Sequence, residues 1–442
     1  MSFTIDKQTL DDLNIFGKHG RNSIYTLFCN TYSRGGAALL ETMFRYPLDN
    51  AREINKRSAK IAFFQNLGID FPYQGHLFDA VDMYLSNTDA RTKLSAENNT
   101  LKRKFRSAIG AENEYEQLHK GVLSLIEIIN ISKEFIRQIK QQPNHTHYDD
   151  IDSFETIFRE SNLDWTESEK GKKRLSYTET SDYDKILRYD ENANMHKLLD
   201  LIYHLDIYVS VGKTAKKNRF VFAQAVDTDE NTLDIKGVFH PYVPNAVSNN
   251  LYIDKNSNVV FLTGANMAGK STFMKSLGIA VFLAHVGFPL PAESMVFSVQ
   301  DGLYTTINLP DNLNMGYSHF YTEVMRLKKV AREVAKDKKY FVIFDELFRG
   351  TNVKDAYDAT VAISEAFSKR FKSTFVISTH IIEAGEVLSK RCENLQCVYL
   401  PTEMDNGTPV YTYKLRQGIT ADRHGMVIIQ NEKILDILNK QN

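Results

Sequence analysis

The chain has 442 residues, 43% hydrophobic, 25% charged and 11% aromatic; at about 150 residues per domain this predicts two or three folded domains and excludes a disordered chain or a single small binding module. Lys and Arg total 54 against 55 for Asp and Glu, so no overall basic field marks a polyanion partner, and any nucleic-acid surface has to be a local patch. Three cysteines, Cys29, Cys392 and Cys397, are too few and too poorly spaced for a disulfide framework or a four-ligand zinc site.

The opening MSFTIDKQTLDDL lacks the basic and apolar regions of a secretory signal, and no stretch approaches about 18 consecutive apolar residues. The expectation is a soluble protein of the cytoplasm with no membrane partner. From Leu10 to about Leu205 apolar residues recur at helical spacing. Leu39, Leu40, Met43 and Phe44 form one cluster, Ile54, Ile61, Phe64 and Leu67 another, and Pro47 divides the two helices. Leu118, Val122, Leu125, Ile129 and Phe135 repeat the pattern, as does the run near residue 200. Between them, Gln141 to Asp184 is polar and reads as a loop, a small subdomain or weakly packed helices.

After about Asn218 the texture changes to short runs heavy in Val, Ile, Phe and Tyr: FVFAQAV, VVFLTG, YFVIFDE, TFVISTH and CVYLP. These predict buried strands of a layered α/β domain. The fold class is therefore α/β plus all-α. A long-helix domain over 1–212 precedes a sheet domain over 213–442, with the handover near Lys213 to Asn218.

Three strand tips carry chemistry. Gly264, Ala265, Asn266, Met267, Ala268, Gly269, Lys270 and Ser271 spell G-x-x-x-x-G-K-[ST] between an apolar run and a helical run that starts at Thr272, the order a phosphate-binding loop requires. Its glycines let backbone amides converge on phosphate at a helix N-terminus. Lys270 adds a charge at the β and γ phosphates, and Ser271 offers an oxygen to Mg²⁺. The run Tyr340 to Phe344 ends in Asp345 and Glu346. Alone, such a run is more often a strand entering a solvated loop. Beside a phosphate loop, Asp345 becomes the Mg²⁺ carboxylate and Glu346 the base that activates water. The run Thr374 to Thr379 ends in His380, which alone reads as a structural histidine and in this context as a γ-phosphate contact at the carboxyl ends of neighbouring strands.

Basic runs at Lys102 to Arg106, Lys170 to Arg174 and Lys213 to Arg219 could neutralise DNA phosphates with steep salt dependence. Each alone is more readily a solvated helix face.

Together the three motifs resemble the ABC-type ATPases, and their wording is similar to the MutS family of mismatch-repair ATPases. TGANMAGKST resembles that family's TG-P-N-M-G-G-K-S-T, with Ala265 and Ala268 as departures; DELFRGT resembles D-E-I-G-R-G-T, with Phe348 in place of a glycine. Gly316 to Glu323 is similar to the signature G-x-S-T-F-x-x-E, whose serine reaches the γ-phosphate of the other subunit, a role the resemblance gives to Ser318. It also sets Thr351 to Asp355 in a loop crossing the dimer interface and Tyr413 near the adenine. Gly35, Leu39, Pro47, Leu48, Ile54 and Arg57 follow the start of the family's core domain, and HLDIYVSVGKTAKK the end of its lever helix; the likeness covers about residues 10–65 and 195–430.

What the resemblance implies is a homodimeric ATP hydrolase, using ATP and Mg²⁺, that couples closure of its ATPase domains to a change of grip on DNA in mismatch repair or recombination. The core-like sequence begins almost at once and the interval from about Ser33 to Lys270 is short. N-terminal mismatch-binding and connector domains are therefore expected to be missing, and the DNA clamp to be reduced or absent. Phe158-Arg159-Glu160 is not a credible mispair reader. The alternative is a nucleotide-switched interaction protein of the same fold without direct mismatch recognition. A transporter subunit is disfavoured by the long helical region before the phosphate loop, and an SMC-like protein by the short interval between Lys270 and Asp345.

Overall fold

The computed structural model describes residues 3–17, 22–87, 109–307, 319–348, 350–405, 408–420 and 437. In chain order the first half holds β1 (Thr4–Ile5), α1 (Lys7–Asp12), α2 (Ile24–Phe28), α3 (Arg34–Arg45), α4 (Ala51–Leu67), α5 (Gly75–Ser86), α6 (Ile109–Lys140), α7 (Asp150–Glu160), α8 (Tyr177–Asp184) and α9 (Asn192–Asn218). The second half continues with β2 (Gln224–Val226), β3 (Leu233–Val238), β4 (Asn249–Ile253), β5 (Val259–Gly264), α10 (Lys270–Val286), β6 (Ser294–Ser298) and β7 (Gly302–Thr306). It ends with α11 (His319–Val334), β8 (Tyr340–Asp345), α12 (Val353–Ser368), β9 (Thr374–Ser378), α13 (Ile382–Arg391), β10 (Leu395–Leu400), β11 (Thr402–Asp405), β12 (Thr408–Tyr411) and β13 (Arg416–Gln417). Among the described residues no helix is long and apolar enough to cross a membrane.

Two compact units share these elements. Residues 28–43 and 59–214 form one, and among its described residues the regular structure is helical. Leu118, Val122, Leu125, Ile129 and Phe135, spaced along α6, are all buried, as the helical period requires. α6 approaches α5 so closely that a side chain on Gly121 would stand 2.3 Å from Tyr84 Cβ. Asp206, buried on α9, accepts from the Tyr32 and Ser33 amides and from Ser33 Oγ, and so holds the chain as it enters α3. The polar middle stretch folds as helix: α7 buries Ile151, Phe154 and Ile157, and a Ser176–Glu179 capping box starts α8.

The other unit takes in residues 1–27, 44–58 and 215–442. Its seven-stranded sheet has the order β1-β7-β8-β9-β5-β10-β13 and is parallel except for β13. β5, β7 and β9 are buried from end to end, which is why their sequences are unbroken apolar or small-residue runs rather than alternating ones. Phe344, Phe367 and Phe375 stack in series at 5.6 and 4.5 Å, locking β8 and β9 to α12. A four-stranded sheet, β2-β6-β3-β4, and the β11-β12 hairpin complete the unit. β8, β9 and β5 are consecutive neighbours, so their carboxyl ends lie side by side. That is the edge where an open α/β sheet binds its ligand.

Candidate nucleotide site

The phosphate loop leaves the end of β5 through Gly264 at φ 148° and closes through Met267 at 67° and Gly269 at 98°. Gly264 and Gly269 meet the backbone need directly. A Cβ on Gly264 would lie 3.0 Å from the Leu400 carbonyl oxygen, and one on Gly269 would lie 3.0 Å from Tyr413 Cδ1. α10 begins at Lys270 with no side-chain cap. Its first amides and the positive end of its dipole therefore face the loop, the arrangement that receives a phosphate.

Lys270 is 5% exposed, and its Nζ donates to the Gly264 and Ala265 carbonyls at 2.9 and 3.1 Å. Burial lowers its pKa below the ordinary lysine value, with the Asp345 and Glu346 carboxylates opposing. Ser271 Oγ donates to Asp345 Oδ2 at 2.5 Å. Asp345 Oδ1 and Ser378 Oγ are buried, and neither makes a well-formed hydrogen bond among the described residues. Burial raises the Asp345 pKa; the Ser271 and Ser378 hydroxyls pull the other way, Glu346 adds to the rise and Lys270 opposes it. A hydroxyl and a half-satisfied carboxylate side by side form the hard-oxygen donor set that suits a divalent cation. Among the described residues there is no cluster of three or more His, Cys, Asp or Glu that could hold a metal by itself.

Glu346 follows β8 at φ 52°, a conformation costly for a residue with a Cβ. Its amide donates to Ser378 O at 2.9 Å, tying the turn to β9. The same turn brings Glu346 Oε1 to 2.6 Å from His380 Nε2. Two residues on, Phe348 takes φ 65° at the position where the resembling motif has glycine. It is 3% exposed, with its ring 6.0 Å from that of Phe320. Core packing therefore holds a backbone conformation that glycine would adopt freely.

A cleft of about 560 Å³ opens over the loop, lined by Asn266, Met267, Gly269, Lys270, Ser271 and Thr272 and by Glu346 and Tyr413. Tyr413 is 44% exposed, and its carbonyl accepts from Asn249 Nδ2 at 2.9 Å. The far wall was not expected from the sequence: His240, Val243, Pro244, Val247 and Asn249, from the connection between β3 and β4 and the start of β4. The His-Pro-Tyr-Val-Pro-Asn run is a turn-rich, partly apolar segment that could have drawn attention. It precedes the phosphate loop and belongs to another sheet, so no motif spacing pointed to it. Burial, and then Lys275, lower the His240 pKa below the usual histidine value, favouring a neutral ring.

Lys270, Ser271, Asp345, Glu346 and His380 thus converge on one strand edge, and Tyr413 lines the cleft above it. Ala265 and Ala268 belong to the same loop, where the Ala268 amide donates to Ala265 O at 3.3 Å. Ser318 lies outside the described residues, as does Lys102 to Arg106. In the segment Thr351 to Asp355, Asn352 caps α12 by accepting from the Asp355 amide at 2.9 Å. Of the other basic runs, Lys170, Lys172 and Lys213 are ion-paired with Glu134, Glu169 and Asp70, while Lys173, Arg174, Lys216, Lys217 and Arg219 are exposed.

The sequence family described as MutS domain V matches residues 260–438, the stretch that starts in β5 and contains every strand tip described above. Curated proteins named DNA mismatch repair protein MutS are similar over about half of this chain. That of Leuconostoc mesenteroides subsp. mesenteroides is 32% identical over 237 residues, 52% of this chain and 27% of the relative. Those of Listeria monocytogenes serotype 4b and Fusobacterium nucleatum subsp. nucleatum are each 28% identical, covering 53% and 56% of this chain and 27% and 28% of their own lengths. The chain spans about a quarter of the length of these relatives. The chain is thus similar to the MutS domain V family over residues 260–438 and to these MutS proteins over about half of its own length.

Proposed function

We propose that this chain binds and hydrolyses ATP with Mg²⁺ in the cleft above the phosphate loop, as a homodimer, and couples the cycle to its hold on DNA. The observation that carries the reading is the convergence of Lys270, Ser271, Asp345, Glu346 and His380 at the carboxyl ends of three adjacent parallel strands. Lys270 and the uncapped start of α10 hold the β and γ phosphates. Ser271 and Asp345 would hold Mg²⁺, which when bound neutralises phosphate charge as the γ-phosphoryl group departs. Glu346 accepts a proton from the attacking water, and His380, at hydrogen-bond distance, fixes the direction of that carboxylate and stands next to the γ-phosphate. By its resemblance to the signature segment, Ser318 reaches the nucleotide of a second copy. The helical unit serves as the lever.

ATP turnover in the intact chain, measured with Lys270→Ala and Glu346→Ala variants and with homoduplex, mispaired and branched DNA, tests the proposal. Turnover lost in both variants and stimulated by one DNA form supports it. Turnover indifferent to Lys270 ends it. The second reading, a nucleotide-switched protein that regulates a protein partner, is favoured by the ion pairs that occupy Lys170, Lys172 and Lys213. It predicts Lys270-dependent turnover with no salt-dependent DNA binding.

A further inference from the structure

Ser378, the last residue of β9, serves both acids at the end of β8. Its carbonyl accepts from the Glu346 amide at 2.9 Å, and in the sheet it stands opposite Asp345 on one side and Leu262 of β5 on the other. Paired residues of parallel strands point to the same face, and side chains alternate along each strand. Ile343, two residues before Asp345, lies on the face toward α10, where a Cβ on Gly278 would stand 3.3 Å from its Cδ1. Asp345 points to that face too, as its contact with Ser271 at the start of α10 shows. Ser378 points there beside it, while Phe344, Phe375 and Ile377, at the alternate positions, belong to the core packed on the other face.

Ser378 is fully buried at the end of a strand that is buried throughout. A hydroxyl in such a place costs stability unless it is partnered. Asp345 is short of the complementary group. Its Oδ2 accepts from Ser271 at 2.5 Å, whereas Oδ1 is buried and, like Ser378 Oγ, has no well-formed hydrogen bond among the described residues. The donor that Oδ1 lacks is carried by the paired residue of the next strand, and a hydroxyl hydrogen rotates to suit its acceptor. The influence of Ser378 on this carboxyl is to favour the charged form. Ser378 is not among the described residues that line the cleft, so it acts on the cation through Asp345 and not by contact with the nucleotide.

We infer that Ser378 is a positioning residue for the cation site: its hydroxyl donates to Asp345 Oδ1 and fixes the carboxylate that would hold Mg²⁺, while its carbonyl fixes the turn at Glu346. The inference rests on the function proposed above. It gives one buried serine two tasks, the side chain serving the first acid and the main chain the second.

The test uses the intact chain with Ser378→Ala, which removes only the hydroxyl, and Ser378→Thr, which keeps it at a strand position suited to a β-branched residue. Metal binding is read directly, by electron paramagnetic resonance of Mn²⁺ titrated into protein loaded with a non-hydrolysable ATP analogue. Nucleotide binding is read with a fluorescent ATP analogue in EDTA. In Ser378→Ala, Mn²⁺ affinity is expected to fall about tenfold, with nucleotide affinity in EDTA within about twofold of the wild type. Its melting temperature without nucleotide should be no lower, since no well-formed bond is lost, and Ser378→Thr should recover most of the metal affinity. A loss of metal affinity that comes with a lower melting temperature and weaker binding in EDTA marks a structural role and overturns the inference. So does a loss that threonine leaves in place. If the wild-type chain holds no Mn²⁺ with the analogue and shows no Lys270-dependent turnover, the proposed function fails and takes the positioning role with it. Wild-type Mn²⁺ binding that Ser378→Ala leaves unchanged sinks the positioning role alone.

Discussion

Glu346 and His380 come from the tips of neighbouring strands, 34 residues apart in the chain, and stand 2.6 Å apart. The contact depends on the left-handed turn at Glu346 and on the bond from its amide to Ser378 O. Strain is thus located at the residue that would accept the proton from water, as is common where geometry serves chemistry.

Glu346→Gln keeps shape and hydrogen-bonding capacity but cannot accept the proton. Its kcat is expected to fall by about 10²-fold or more while ATP binding persists, measured by single-turnover hydrolysis beside a filter-binding titration. His380→Ala should lower kcat less, because Glu346 keeps its place in the turn.

Asp345→Asn separates stability from activity. The folded-state pKa of Asp345 lies above its ordinary value of 3.8 because burial penalises the carboxylate. The stability this group contributes is therefore fully present below pH 3.8 and is lost as pH rises through the raised value. At pH 7 without nucleotide, the asparagine variant should melt at a higher temperature than the wild type, with the gain shrinking towards acid pH, and it should lose Mg²⁺-dependent turnover. A thermal melt series over pH, read beside activity, checks both halves.

Phe348→Gly weighs backbone against packing. Glycine would relieve the positive φ, worth about 1–2 kcal/mol, and would forfeit a ring that is 3% exposed, worth about 3–5 kcal/mol as a large-to-small change. The net expectation is a destabilisation of about 2 kcal/mol, read by urea unfolding at constant m-value.

Gly269→Ala places a methyl 3.0 Å from Tyr413 Cδ1 at φ 98°, and so strains the loop and displaces the ring. Nucleotide affinity should drop by about tenfold or more. Tyr413→Ala should weaken affinity too and leave kcat at saturation nearly unchanged, since the ring lines the cleft and is not among the groups proposed to act on the γ-phosphate. Steady-state kinetics with separated kcat and KM decide it.

Local chemistry made much of this legible. The runs that became β5, β8 and β9 are largely continuous apolar stretches, and the α6 positions from Leu118 to Phe135 keep a helical period, because burial on two faces or on one stripe imposes those patterns on nearby residues. β7, with Gly302 and two threonines, and the short β1 carry no such run and went unseen. The polar stretch from Gln141 to Asp184 gave no clear helical reading because α7 buries only one narrow stripe and α8 buries Thr180, Ser181 and Asp184 in place of apolar residues.

By itself, then, the sequence determined the phosphate loop, the two acids and the histidine as strand tips, since each is a turn or terminus written in a few contiguous residues. Tertiary structure alone decided that β9 lies between β8 and β5, that His240 and Val243 wall the cleft, and that Asp6 closes on Arg326. Those are pairings between distant segments, settled by which buried faces and charges satisfy one another once the chain has collapsed, and no local period or spacing encodes them.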